Sequence, residues 1–181
     1  MNPRLLAAIF LTLSLAIALA TGEAHAQQLP ISPLEWLVGG TWVAQGDDMP
    51  PNTLRIETQY RWAATGNFIQ FTTQFIGKDG KPAGNYAGNF YYDPATKQLA
   101  VWYMDRNNAI TQGSVGTSPM GMTIALAESG GATDASGPVD LEAVVTKTPG
   151  DTYRWTLAAR KAGSNDRYKP LFMLDYVRKP G

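Results

Sequence analysis

The sequence predicts an all-β fold: a single antiparallel up-and-down β-barrel of about ten strands with a short N-terminal helical plug. Three observations predict it. Helical periodicity is scarce after residue 26. From residue 54 onward, apolar and polar residues alternate in run after run, the two-residue period of strands with one buried and one wet face. Short segments of turn chemistry separate the runs, so most neighbours are joined as hairpins. A long meander of hairpins tends to close on itself, because closure removes the exposed strand edges.

The N-terminus reads as a secretory leader. Arg4 supplies a positive start, Leu5 to Ala20 is an apolar run broken only by Thr12 and Ser14, and Ala24-His25-Ala26 is a small-x-small cleavage pattern. The run is shorter than the roughly 20 residues a membrane span needs. The expected organisation is therefore a signal peptide over residues 1–26 and one barrel domain over 27–181, with a periplasmic or secreted product and no membrane span after the leader is removed.

The elements follow in order. Ser32-Pro33-Leu34-Glu35 has the pattern of a capping box, with Ser32 at the N-cap, Pro33 at the first helical position and Glu35 reaching back. Trp36, Leu37 and Val38 complete one apolar turn, which Gly39-Gly40 ends. A single turn is unstable alone, so it is expected to pack at one end of the sheet. Leu54, Ile56, Tyr60 and Trp62 then alternate with Arg55, Glu57, Gln59 and Arg61, and Ile69, Phe71 and Phe75 with Gln70, Thr72 and Gln74. Lys78-Asp79-Gly80-Lys81 is a hairpin turn, and 85–92 returns. Asp93-Pro94-Ala95-Thr96 is a turn with its φ pre-set by proline. It leads into the dense run Val101-Trp102-Tyr103-Met104. Asn107-Asn108 is expected to form a two-residue type I′ hairpin. A weak strand over 110–115 and an alternating one over 122–127 precede a loop by composition, 129–137. Strands over 139–145, 153–157 and 171–177 close the series, with Thr148-Pro149-Gly150-Asp151 as a turn.

Composition narrows the chemistry. The chain has no cysteine, so no disulfide supports the fold and no lipidated cysteine follows the leader. Its one histidine, His25, lies in the leader. The mature product thus lacks thiol nucleophiles, imidazole bases and the usual zinc ligands. Basic and acidic residues balance at 15 each, without the basic excess of a nucleic-acid binder.

The stretch Leu34-Glu35-Trp36-Leu37-Val38-Gly39-Gly40-Thr41-Trp42 resembles the opening of lipocalin-like (calycin) barrels, where a short helical turn leads into a Gly-x-Trp strand. The resemblance implies that Trp42 closes the narrow end of the barrel and that a basic residue late in the last strand, here Arg178, packs on it. The hairpin Tyr92 to Gln98 followed by Trp102 is similar to one in bacterial lipocalin-like domains. Nitrobindin-type haem barrels are related, but their iron ligand is a histidine, which the mature chain lacks. The resemblance therefore carries the fold and not haem, and no cofactor is expected.

Tyr60, Trp62, Phe71, Phe75, Tyr86, Phe90, Trp102, Met104 and Trp155 are the candidate ligand-binding residues. About ten strands enclose more space than eight, and large apolar side chains around it would make a pocket for a small lipophilic molecule. The same rings could instead fill the core. Catalysis has little support without a base. An isomerase or hydratase built on Asp105, Asp175, Tyr86 and Tyr176 is the alternative, and a filled barrel that serves as an interaction protein is a third reading. Neighbouring Asp47 and Asp48 lack the spacing of a calcium loop, and no metal site is expected.

Overall fold

The structure, a computed structural model, describes residues 30–128, 133–134 and 137–180; the expected leader falls outside them. A 3-10 turn, Ser32–Leu37, precedes eleven strands: β1 (Thr41–Gln45), β2 (Thr53–Trp62), β3 (Phe68–Gly77), β4 (Pro82–Asp93), β5 (Gln98–Asp105), β6 (Ile110–Ser118), β7 (Gly121–Glu128), β8 (Thr133–Asp134), β9 (Gly137–Thr148), β10 (Thr152–Lys161) and β11 (Lys169–Lys179). All pairings are antiparallel. Apart from the two-residue β8, each strand pairs with the next, β9 follows β7, and β11 returns to pair with β1. The result is a closed barrel of ten strands.

Alternation sets the two faces. Ile56, Thr58, Ile69, Phe71, Thr73, Phe90, Val101, Ile124, Val145 and Tyr153 are buried on the inner face. The outer face carries charged side chains on some strands and amides, hydroxyls and several exposed apolar groups on others. Among the described residues no helix is long and apolar enough to cross a membrane.

The first and last strands meet at the Gly-x-Trp segment. Trp42 is 1% exposed, and its indole N–H donates to the Leu37 carbonyl at 2.7 Å. The Arg178 guanidinium lies 4.5 Å over its ring and donates to the Val38 and Trp36 carbonyls. Gly40 must be glycine here: its φ is +66°, and a Cβ would come within 2.5 Å of the Lys179 carbonyl oxygen. Leu34 and Leu37 are fully buried beside this contact. The 3-10 turn reaches both Trp42 on β1 and strand β6. In the ring of ten these two strands stand opposite, so the turn lies across the barrel at that end.

Three local expectations are corrected. The capping box does not form: Ile31 is the N-cap residue, and no side chain caps the turn. The turn is too short and too tightly wound in 3-10 geometry to give Ser32 the N-cap place, although proline does open it. The segment read as loop contains β8, which pairs Thr133 with Pro138 and Asp134 with Gly137. The turn at Asn107-Asn108 is not type I′. Only Asn108 is left-handed, at φ 62°. The Asp105 carboxylate accepts from the backbone N–H of Asn107 and of Ala109, making a three-residue loop around an Asx turn.

Trp42 and Trp102 offer a test of orientation. Val101 and Tyr103 point inward, so Trp102 between them points out. Trp42→Ala is expected to cost about 3–5 kcal/mol, and Trp102→Ala about 0.5 kcal/mol or less. Urea unfolding midpoints of the two variants check this; equal losses would refute the assigned faces.

Candidate functional site

The inner face is not uniformly filled. A cavity of about 60 Å³ lies inside the barrel. Of the sequence-predicted residues, Tyr60, Phe71, Tyr86, Phe90 and Trp155 line it. They come from β2, β3, β4 and β10, and three of the rings pack closely: Phe71 is 5.3 Å from Phe90 and 5.9 Å from Tyr60 between centroids.

Trp62 and Phe75 are on the inner face but beside the cavity. Trp62 pairs with Ile69 near the Trp42 end. Phe75 packs 5.8 Å from Tyr86 toward the other end. Trp102 and Met104 are outside the site. The register Phe90↔Val101 and Gly88↔Tyr103 turns Val101 and Tyr103 inward, so the strand period sends Trp102 and Met104 to the outer surface, where Met104 is 40% exposed.

The nine candidates leave out Tyr103, an aromatic of the same strand run that lines the cavity, together with Thr73, Val101, Met122, Ile124, Leu126, Ala143 and Val145. For β5 the missing signal was register. Val101-Trp102-Tyr103-Met104 is apolar on both faces, so alternation could not choose between them. Counting back from the Asp93–Thr96 turn to pair Phe90 with Val101 would have placed Tyr103 inside.

Burial is graded along the barrel axis. Trp42, Ile69, Phe90, Val101 and Tyr153 are nearly inaccessible at the end crossed by the 3-10 turn. Phe75, Tyr86, Tyr103, Trp155, Leu157 and Phe172, nearer the other end, are only partly buried. The mouth of the cavity is therefore on the side of Tyr86, Tyr103 and Trp155.

The polar groups of the wall are hydroxyls. Tyr60 and Tyr153 share a hydrogen bond. Tyr86 bonds Thr73, and Tyr176 bonds Thr58. The Thr58 and Thr73 hydroxyls are 2.9 Å apart, which joins the last two pairs into one chain across the sheet. Tyr60 and Tyr86 keep some accessible surface because they border the cavity, yet protein surrounds them closely enough that burial governs their titration. It pushes the Tyr60 phenol up to about 12, against the bond from Tyr153. Burial likewise raises Tyr86, Tyr153 and Tyr176.

The carboxylates considered for catalysis stand apart from the cavity. Asp105 spends its oxygens on its own turn. Asp175 faces outward and is held by two bonds from Arg154, both 2.8 Å, which keep its carboxyl below the ordinary range. None of the residues lining the cavity is charged.

Among solved structures, the fold matches Rv2717c from M. tuberculosis with a TM-score of 0.52 and 16% sequence identity, over 83% of this chain and 97% of that one. At that identity the likeness is one of fold. No protein-family model and no curated protein matches the chain.

The raised phenols carry a sign. Each is neutral when protonated and binds its proton more tightly folded than unfolded, where tyrosine titrates near about 10. Between about 10 and the folded value the native state holds more protons than the unfolded one, so stability falls as pH rises. For Tyr60 the contribution is intact below about 10 and is lost by about 12. Phenolate absorbance is expected to show Tyr60, Tyr86, Tyr153 and Tyr176 protonated until alkaline unfolding, and Tyr60→Phe to lessen the loss of stability over that window. Reversible ionisation of all tyrosines in the folded protein near about 10 would refute the buried wall.

Proposed function

We propose that this protein is an exported, lipocalin-like barrel that binds one small, uncharged lipophilic molecule between its aromatic walls. One observation carries the reading: the cavity is bounded by rings, aliphatic groups and neutral hydroxyls, without a charged side chain. An ionised carboxylate would meet no counter-charge there, and burying it unpaired costs far more than burying a neutral group. A molecule with a single hydroxyl or carbonyl finds partners in Tyr86, Tyr103 and Thr73.

The size of the cavity decides how it binds. An apolar cavity of about 150 Å³ admits benzene; this one, at about 60 Å³, does so only if the half-buried rings at the mouth turn aside. Tyr86, Tyr103 and Trp155 are the side chains that move. Export rests on the leader pattern of residues 1–26. Lipocalin-like membership rests on the Gly40-Thr41-Trp42 segment and the Arg178 contact on Trp42. The small volume also favours a second reading, a filled barrel that serves only as a scaffold. An isomerase or hydratase would need an acid in the cavity, and Asp105 and Asp175 are committed elsewhere.

Calorimetric titration with indole and naphthalene, against their carboxylated analogues, separates these readings. The neutral compounds are expected to bind once per chain, and about tenfold or more tighter than the acids. Ala143→Phe and Leu126→Trp, which fill the space, are expected to abolish binding while the strand signal in circular dichroism persists. No saturable binding by either neutral compound would leave the scaffold reading, and equal binding of the acids would remove the claim of neutrality.

A further inference from the structure

The barrel exterior divides into two chemically different halves. Ion pairs mark one of them: Arg55 with Glu57 on β2, Arg154 on β10 with Asp175 on β11, and Arg160 on β10 with Asp140 on β9. Strands β3 to β7 make the other. Over residues 68–74, 85–91, 100–104, 110–116 and 123–127, the outward positions are amides, small residues, hydroxyls and a few large apolar groups, and none is charged.

One row across this half is ordered. The ladder places Gln70 beside Asn89, Asn89 beside Trp102, Trp102 beside Gln112, and Gln112 beside Ala127. Directly opposed side chains in such a ladder stand about 5 Å apart. An indole thus stands with a primary amide on either side and a third amide one strand further. Among the described residues, Trp102 has no ring partner, and neither its N–H nor the three amides has a side-chain hydrogen bond. In the adjacent row Ala100, Ser114 and Ala125 are small. With Gly113 they leave a groove of about 310 Å³ along the exterior, bounded by Tyr91 and Gln112. Asp93, at the groove's end, has its carboxylate engaged by the Ala95 N–H and the Thr96 hydroxyl.

We propose that this row and groove form a binding site for an uncharged, β-linked polysaccharide chain. Sugar rings present a flat C–H face and a rim of hydroxyls. The face stacks on an aromatic ring, which offers a large rigid contact at low entropic cost. The hydroxyls pair with amides, which both donate and accept. Neighbouring strands lie about 4.8 Å apart, so an extended chain crossing them meets two amides, the indole and a third amide in succession. Apart from Asp93 at the groove's end, the uncharged outward rows match a neutral partner better than an acidic or basic one. A second copy of the chain fits less well: two convex surfaces touch over little area, well short of the roughly 1,000 Å² that a specific interface needs.

The test is retention of the purified protein on suspensions of cellulose, chitin and curdlan, with tryptophan fluorescence on adding the corresponding soluble hexasaccharides. Carboxymethyl cellulose is the anionic comparison. At least one neutral polymer is expected to deplete the protein from solution, and carboxymethyl cellulose not to. Trp102→Ala is expected to weaken binding about tenfold and Gln112→Ala about threefold, both with an unchanged unfolding midpoint, since neither side chain belongs to the core. No retention on any of the three neutral polymers overturns the proposal, as does retention that Trp102→Ala leaves unaltered. Concentration-dependent self-association in sedimentation equilibrium that Trp102→Ala abolishes, without sugar binding, also overturns it and gives the face to a second copy.

Discussion

The Arg178 side chain ties the end of the chain to its beginning. It covers the Trp42 ring and donates to the carbonyls of Trp36 and Val38, residues about 140 positions earlier. The β1–β11 seam lies under this contact. Without the seam, both strands would present an unpaired edge. The seam also joins the most distant parts of the sequence, which makes it a late and slow contact to form. Backbone geometry is committed to it as well, since the Lys179 carbonyl passes where a side chain at position 40 would stand.

Sealing one end in this way gives the interior its polarity along the axis. Leu34, Leu37, Trp42 and Tyr153 are packed to near-zero exposure, and Tyr86 and Trp155 are not. Several of the polar groups around the cavity are hydroxyls that bond one another, Tyr60 with Tyr153 and Tyr86 through Thr73 and Thr58 to Tyr176. A buried, uncharged wall of this kind makes an unpaired ion costly, so the chemistry of the candidate site follows from how the barrel is closed. The outside is governed separately. Its exposed ion pairs contribute little to stability.

The alternation in 54–62 and 69–75, the turn residues at 78–81 and 93–96, and the Gly-x-Trp segment were legible because each depends on neighbours within a few positions. They pointed to about ten strands in a meander, and the family resemblance to closure at Trp42. Five of the nine candidate site residues border the cavity, and two more share its face. Met104 and Trp102 do not, because β5 is apolar on both sides and its period has no polar marker.

By itself, then, the sequence determined the all-β class, the meander and the lack of thiol and imidazole chemistry in the barrel, since these follow from composition and local periodicity. Register, and with it the choice between Trp102 and Tyr103, was decided only in the assembled sheet, where a shift of one residue exchanges the two faces. The dimensions of the cavity and the row of amides beside Trp102 arose there too. Both are made by residues distant in sequence, brought side by side only when the barrel closes.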